Sequence, residues 1–183
     1  PMTYYSSTKT YEFTAFTEND LGGNVACGTK FSMPNNASTC FSVKDDDIYL
    51  CGDKSWSNEN ADDHSYQTAT SIDADGNEQS NGGQIYAESY WWVYDQHGNW
   101  YVMVEIEQEG ASDDYFTFWT GGGYSVPADG SELTVHSECD VTSNWIDYKC
   151  LDAGDKTPDT GWIKGRLTFD ADCNDNEFND VTG

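Results

Sequence analysis

Apolar and polar positions alternate with period two along much of the chain, and no stretch carries a useful helical period. The longest pattern spans 86–110, YAESYWWVYDQHGNWYVMVEIEQEG, and predicts two strands, 86–94 and 100–106, around a tight turn at 95–99. Gly98 supplies the positive φ that such a turn uses. An even loop keeps the two faces distinct. Trp91 and Val93 then share an apolar, core-facing side with Trp100, Val102, Val104 and Ile106. The opposite side carries Tyr90, Trp92, Tyr94, Tyr101, Met103, Glu105 and Glu107, and is either a ligand platform or a second buried surface.

The remaining pattern is of short strands and turns. Residues 8–17 predict a first strand, with short candidates around Val25, Phe31 and 41–43, and another at 48–50 after an aspartate turn at 45–47. Residues 52–84 form a long polar stretch, too long for an idle connection, and read as a functional loop. Residues 115–120 predict a strand with Phe116 and Phe118 on one side and Tyr115, Thr117 and Trp119 on the other. Segments 133–137, 144–149 and 162–169 complete the set, and 170–183 is an acidic tail. This rhythm predicts one all-β domain over 1–183, an antiparallel β-sandwich or jelly roll.

Composition narrows the partners. The 183 residues hold 33 Asp and Glu against 8 Lys and Arg, a net charge of −25. Nucleic acid is excluded as a partner because phosphate contacts need clustered Lys and Arg. No run approaches the length of a membrane span, so no membrane insertion is expected. With 7 Trp and 12 Tyr the chain has the apolar area of a packed core rather than of a disordered acidic segment. It opens at Pro1, which reads as a mature or trimmed form.

Six cysteines without a C-x-x-C pair suggest disulfides and an oxidising compartment, hence a secreted or cell-surface protein. Cys40 with Cys51, and Cys139 with Cys150, have equal short spacing and bracket strand-like runs. That leaves Cys27 with Cys173 to tie the ends of the domain.

Three motifs occur in order: Asp95, Gly98, Asn99 and Tyr101 in a hairpin; Tyr115, Phe116 and Phe118 in a strand; and Val126, Pro127, Gly130, Leu133 and Val135 at a strand entry. Together they resemble β-modules of secreted bacterial proteins of the RTX, or repeats-in-toxin, type. The terminal DNEFNDV resembles a calcium signature of bacterial surface domains. The glycine-rich nonapeptide repeats of the RTX group are absent. The resemblance implies an extracellular, calcium-binding β-module.

Four constellations could carry chemistry. Asp170, Asp172, Asn174 and Asn176, with Glu177, place oxygen donors at the alternate positions that calcium loops use, although the EF-hand glycine and terminal glutamate are missing. Asp73 and Asp75, in D-x-D-G, form a second calcium candidate or a plain turn. Glu88, across from Glu105 or Glu107, is the carboxylate pair a glycosidase would need. Tyr90, Trp92, Tyr94, Tyr101, Tyr115 and Trp119 could stack on sugar rings or fill a second core. The reading is an extracellular calcium-binding module for adhesion, glycan binding or assembly, acting on a glycan or another extracellular protein by binding rather than catalysis. The alternatives are a carbohydrate-active enzyme and a structural subunit of a filament or coat.

Overall fold

The computed structural model describes residues 8–52, 67–73, 75–142 and 144–154. Within them the chain is all-β, with every strand pair antiparallel, consistent with a β-sandwich. The strands are β1 (Lys9–Thr17), β2 (Lys30–Ser32), β3 (Thr39–Asp45), β4 (Thr68–Asp73), β5 (Glu78–Asp95), β6 (Trp100–Gln108), β7 (Tyr115–Trp119), β8 (Glu132–Asp140) and β9 (Leu151–Asp152).

Two strands are shared between neighbours on different sides of the molecule. The first half of β5 pairs with β4, and its second half pairs with β6 on one edge and β8 on the other. β1 pairs with β3 through Ala15 and then with β7 through Phe16 and Thr17. The pairing therefore closes on itself through β5, β4, β3, β1, β7 and β6. β8 and β2 extend it beyond β5, and β9 pairs with β7. Closure leaves those six strands without a bare edge over the paired lengths.

Two cores follow from this circuit. The first lies inside it and takes side chains from all six strands, among them Phe13, Phe41, Ala69, Ile85, Val104 and Tyr115. The second lies on the outer side of the β7–β6–β5–β8 half, where Trp91, Val93, Tyr101, Met103, Phe116 and Phe118 are covered by Leu21, Phe31 and Met33 from the 18–38 segment. The faces expected for 115–119 are those found: Phe116 and Phe118 point outward, Tyr115 and Trp119 inward. Each large side chain so buried is worth about 1.5–3 kcal/mol relative to exposure.

The β5–β6 hairpin corrects the expected register. Tyr94 pairs with Trp100, Trp92 with Val102 and Tyr90 with Val104, so the turn is odd rather than even. Asp95 fixes it: its Oδ1 accepts from the backbone of His97 and Asn99, both at 2.9 Å, and Gly98 takes φ 80. Three-residue loops of this kind end on a left-handed glycine. Within β5 a bulge at Glu88 then inverts the parity, so Ile85 and Ala87 face the inner core before it and Tyr90, Trp92 and Tyr94 after it.

The polar stretch 52–84 is not one loop, since it contains β4 and the start of β5. Thr68–Asp73 reads as polar because its strand formers are Thr and Ser, yet Ala69, Ser71 and Ile72 are buried. Segment 144–149 is not a strand; it leads into a 3-10 turn, Tyr148–Cys150, and bridges at Tyr49 and Asp147.

The three expected disulfide pairings are not formed. Cys27, Cys51, Cys139 and Cys150 are free thiols, and each pairing needs at least one of them. Cys40 is disulfide-bonded, but not to any of these four. The chain after β3 does not return along it. Leu50 N donates to Ile146 O at 2.8 Å and Gly52 bridges Ala87, so Cys51 leaves Cys40 behind. Cys139 lies on β8 opposite Tyr90, whereas the Cys150 carbonyl accepts from Thr120 N at 2.8 Å at the end of β7. The strands β5 and β6 separate the two thiols.

Candidate functional site

Directly opposed residues of an antiparallel pair share a face, so the register places side chains without further assumption. One row reads Lys30, Thr134, Tyr94, Trp100 across β2, β8, β5 and β6. The next reads Ser137, Trp92, Val102, Trp119 across β8, β5, β6 and β7. Both lie on the side that continues into the inner core. Toward Val104 and Ile106 that side is covered; toward Trp100 it opens, and Trp100 is 44% exposed.

The rings on this open end are contiguous. Tyr90 lies 6.4 Å from Trp92, and Trp92 lies 6.4 Å from Trp100 and 5.6 Å from Tyr124. Trp145 closes the circuit against Tyr90 at 5.2 Å and Trp119 at 5.0 Å. Tyr94 and His136 flank Trp100 at 5.1 and 5.2 Å. His136 is the extra residue of a bulge in β8, which falls between the Trp92–Ser137 and Val93–Val135 pairs. Gly121 and Gly122 press on the same surface: a Cβ on Gly121 would stand 2.3 Å from the Trp119 ring. Trp119 Nε1 is buried without a hydrogen-bond partner.

Of the six rings expected from the sequence, four are on this face: Tyr90, Trp92, Tyr94 and Trp119. Tyr101 faces the outer core, where its hydroxyl donates to Asp95 at 3.1 Å. Tyr115 is buried in the inner core. The even register expected from the sequence would set Trp100 on the core-facing side, whereas the odd turn sets it in the open. Tyr124, Trp145 and His136 reach the site from loops and a bulge, which strand alternation does not mark.

The carboxylates lie on the opposite side of the same strands. Glu88, Glu105 and Asp114 place carboxyl oxygens within 4.8 Å of one another. Glu105 is buried and accepts from Ser89 Oγ at 2.8 Å and Trp91 Nε1 at 2.9 Å. Burial first, then the bonds and charges of Glu88 and Glu105, push the Asp114 carboxyl up to about 9. Glu88 and Glu105 come together through the bulge at Glu88, not through the even register that suggested the pair, while Glu107 pairs with Tyr86 farther along and is outside the trio. Three carboxyls with one held protonated can share a proton or take a divalent ion.

A second group is Asp45, Asp46 and Asp47. Asp45 is buried, accepts from Tyr148 Oη at 2.5 Å, and is pushed up to about 7, chiefly by burial. Asp73 caps its own hairpin: its Oδ1 accepts from Asp75 N at 3.0 Å and Asn77 N at 2.8 Å, and Gly76 takes φ 84. This is the same Asp-x-x-Gly-Asn turn as 95–99, and it leaves Asp75 exposed. Asp170, Asp172, Asn174, Asn176 and Glu177 lie outside the described residues. No family model, curated protein or solved structure matches the chain.

Proposed function

We propose that this protein is a non-catalytic carbohydrate-binding β-module, deployed outside the cell or on its surface. The observation that carries this is the open aromatic face. Trp92, Tyr94 and Trp100 stand on adjacent, rigidly paired strands, with hydroxyl side chains of Thr134 and Ser137 in the same rows. Sugar rings stack their C–H faces on such side chains while neighbouring polar groups meet the hydroxyls. Calcium belongs to the same proposal as a structural ion held by the acidic run at 170–177. Titration with a panel of polysaccharides, followed through the indole N–H signals of the tryptophans, tests the reading. Shifts confined to the open-face indoles support it, and an unchanged spectrum with every glycan defeats it.

One observation favours hydrolysis as the second reading: the carboxyl oxygens of Glu88, Glu105 and Asp114 lie within 4.8 Å of one another and burial pushes Asp114 up, an arrangement like the acid-and-base pairing of glycosidases. Against it, Glu88, Glu105 and Asp114 face away from the rings that would hold a sugar. Release of reducing ends from any bound polysaccharide, lost in Glu105→Gln, would promote this reading over binding alone.

A further inference from the structure

We infer that the ligand of the aromatic face is an uncharged polysaccharide, an inference that rests on the carbohydrate-binding reading and narrows it. The chain carries 33 acidic residues, yet the strands that bear the rings turn their carboxylates elsewhere. On β8, Glu138 and Asp140 oppose Trp91 and Ser89, on the outer side, and Glu138 accepts from Ser89 Oγ at 2.9 Å. On β6, Glu105 is tied to Trp91 on that same side. On β5, Asp95 is consumed by its turn.

Among the described residues of these strands, Glu132 is the carboxylate left on the ring side, and it stands at the first position of β8, at the rim. Lys30 stands at the rim likewise, two strands from Tyr94. Among the described residues of these strands, a cationic ligand, such as an amino-sugar polymer or a basic peptide, meets only the rim carboxylate of Glu132 on the ring side. A polyanion approaches a molecule of net charge −25. A neutral polyhydroxyl chain meets neither obstacle. It has apolar ring faces for Trp92, Tyr94 and Trp100, and hydroxyls for Thr134 and Ser137.

The test is retention of the full chain by neutral polymers (β-glucan, xylan and galactomannan) against polygalacturonate and chitosan, at about 50 and about 500 mM NaCl. At least one neutral polymer should bind, with Kd changing less than about twofold across that range, since no ion pair is screened. Trp100→Ala should weaken it about tenfold or more, as loss of a central aromatic anchor does. Lys30→Gln should leave it within about twofold, since an exposed single charge contributes little to a neutral partner.

Tighter binding to polygalacturonate or chitosan than to every neutral polymer overturns the inference and spares the carbohydrate reading. Binding to none of the five overturns both. A concentration-dependent dimer that Trp100→Ala dissolves would make the occupant a second copy of the chain, and also overturns both. Trp92→Ala, checked for its fold by circular dichroism, guards against a single uninformative variant.

Discussion

Tyr94 stands directly across from Trp100, their ring centroids 5.1 Å apart, although five residues separate them and a clean alternation would have set them on opposite faces. That pairing puts Trp100 in the open and Trp91 in the outer core, where it is 5% exposed and its indole N–H is held by Glu105. The two tryptophans should therefore respond oppositely to truncation. Trp91→Ala should cost about 3–5 kcal/mol in denaturant unfolding, as a buried large-to-small change does. Trp100→Ala should cost less than about 1 kcal/mol while weakening glycan retention about tenfold or more. Equal costs would put both rings in a core and remove the binding face.

The sequence made the strand content legible, and also the facing of β7, because Phe116 and Phe118 alternate without interruption. It did not reveal the face of β5, because the bulge at Glu88 inverts parity in mid-strand and the run Tyr90, Trp91, Trp92 is aromatic on both sides. A one-residue insertion carries no compositional mark. β4 was hidden for a different reason: its buried positions include Ser71, and its formers are Thr and Ser, which alternate no hydrophobicity. The trio was half visible. Glu88 and Glu105 could be placed across a hairpin, whereas Asp114 arrives from the turn before β7.

Gly121 should tolerate no side chain. A Cβ there would lie 2.3 and 2.6 Å from two carbons of the Trp119 indole, so either the ring or the 121–123 backbone must move. Gly121→Ala should cost about 1–3 kcal/mol, the usual range for overpacking. It should also change the Trp119 environment, seen in near-ultraviolet dichroism. Gly123→Ala, where a Cβ meets nothing, carries only the strain of its φ of 86 and should leave that signal alone. Identical spectra for both variants would refute the close seating of Gly121.

The thiol inventory should follow exposure. Without reductant, Cys27, exposed, should alkylate in the native protein, and Cys51, buried, should react only on unfolding. Denatured, unreduced protein should show labels on Cys27, Cys51, Cys139 and Cys150, resolved by peptide mass mapping. A chain in which any of the four resists alkylation without reductant would revive the pairings that spacing alone suggested.

Calcium should separate from sodium in a melting experiment. If the run from Asp170 to Glu177 binds the ion, millimolar calcium raises the melting temperature more than sodium at matched ionic strength. A hundredfold excess over Kd is worth about 2.7 kcal/mol. Asp170→Asn combined with Asp172→Asn should remove most of that difference. Equal shifts from the two salts, or a full shift in the double variant, would leave the tail as acidic surface.

The pH dependence of stability should carry the mark of Asp114. In the unfolded chain its carboxyl releases its proton near the usual 3.8; in the fold, burial and the neighbouring Glu88 and Glu105 hold it to about 9. Between those values the folded state binds more protons than the unfolded one, so stability falls as pH rises. The contribution is fully present below about pH 4 and lost on approach to about pH 9. Asp45, pushed up to about 7, acts in the same direction over a narrower window. Asp114→Asn removes the charge that the trio resists while keeping the shape. It should leave stability near pH 4 nearly unchanged and raise it at about pH 8 by about 1 kcal/mol, the scale of a like-charge contact reduced by partial exposure. Urea unfolding of both proteins across that range measures the difference. A parallel pair of curves would mean that Asp114 ionises freely and that the three carboxyls do not share a proton.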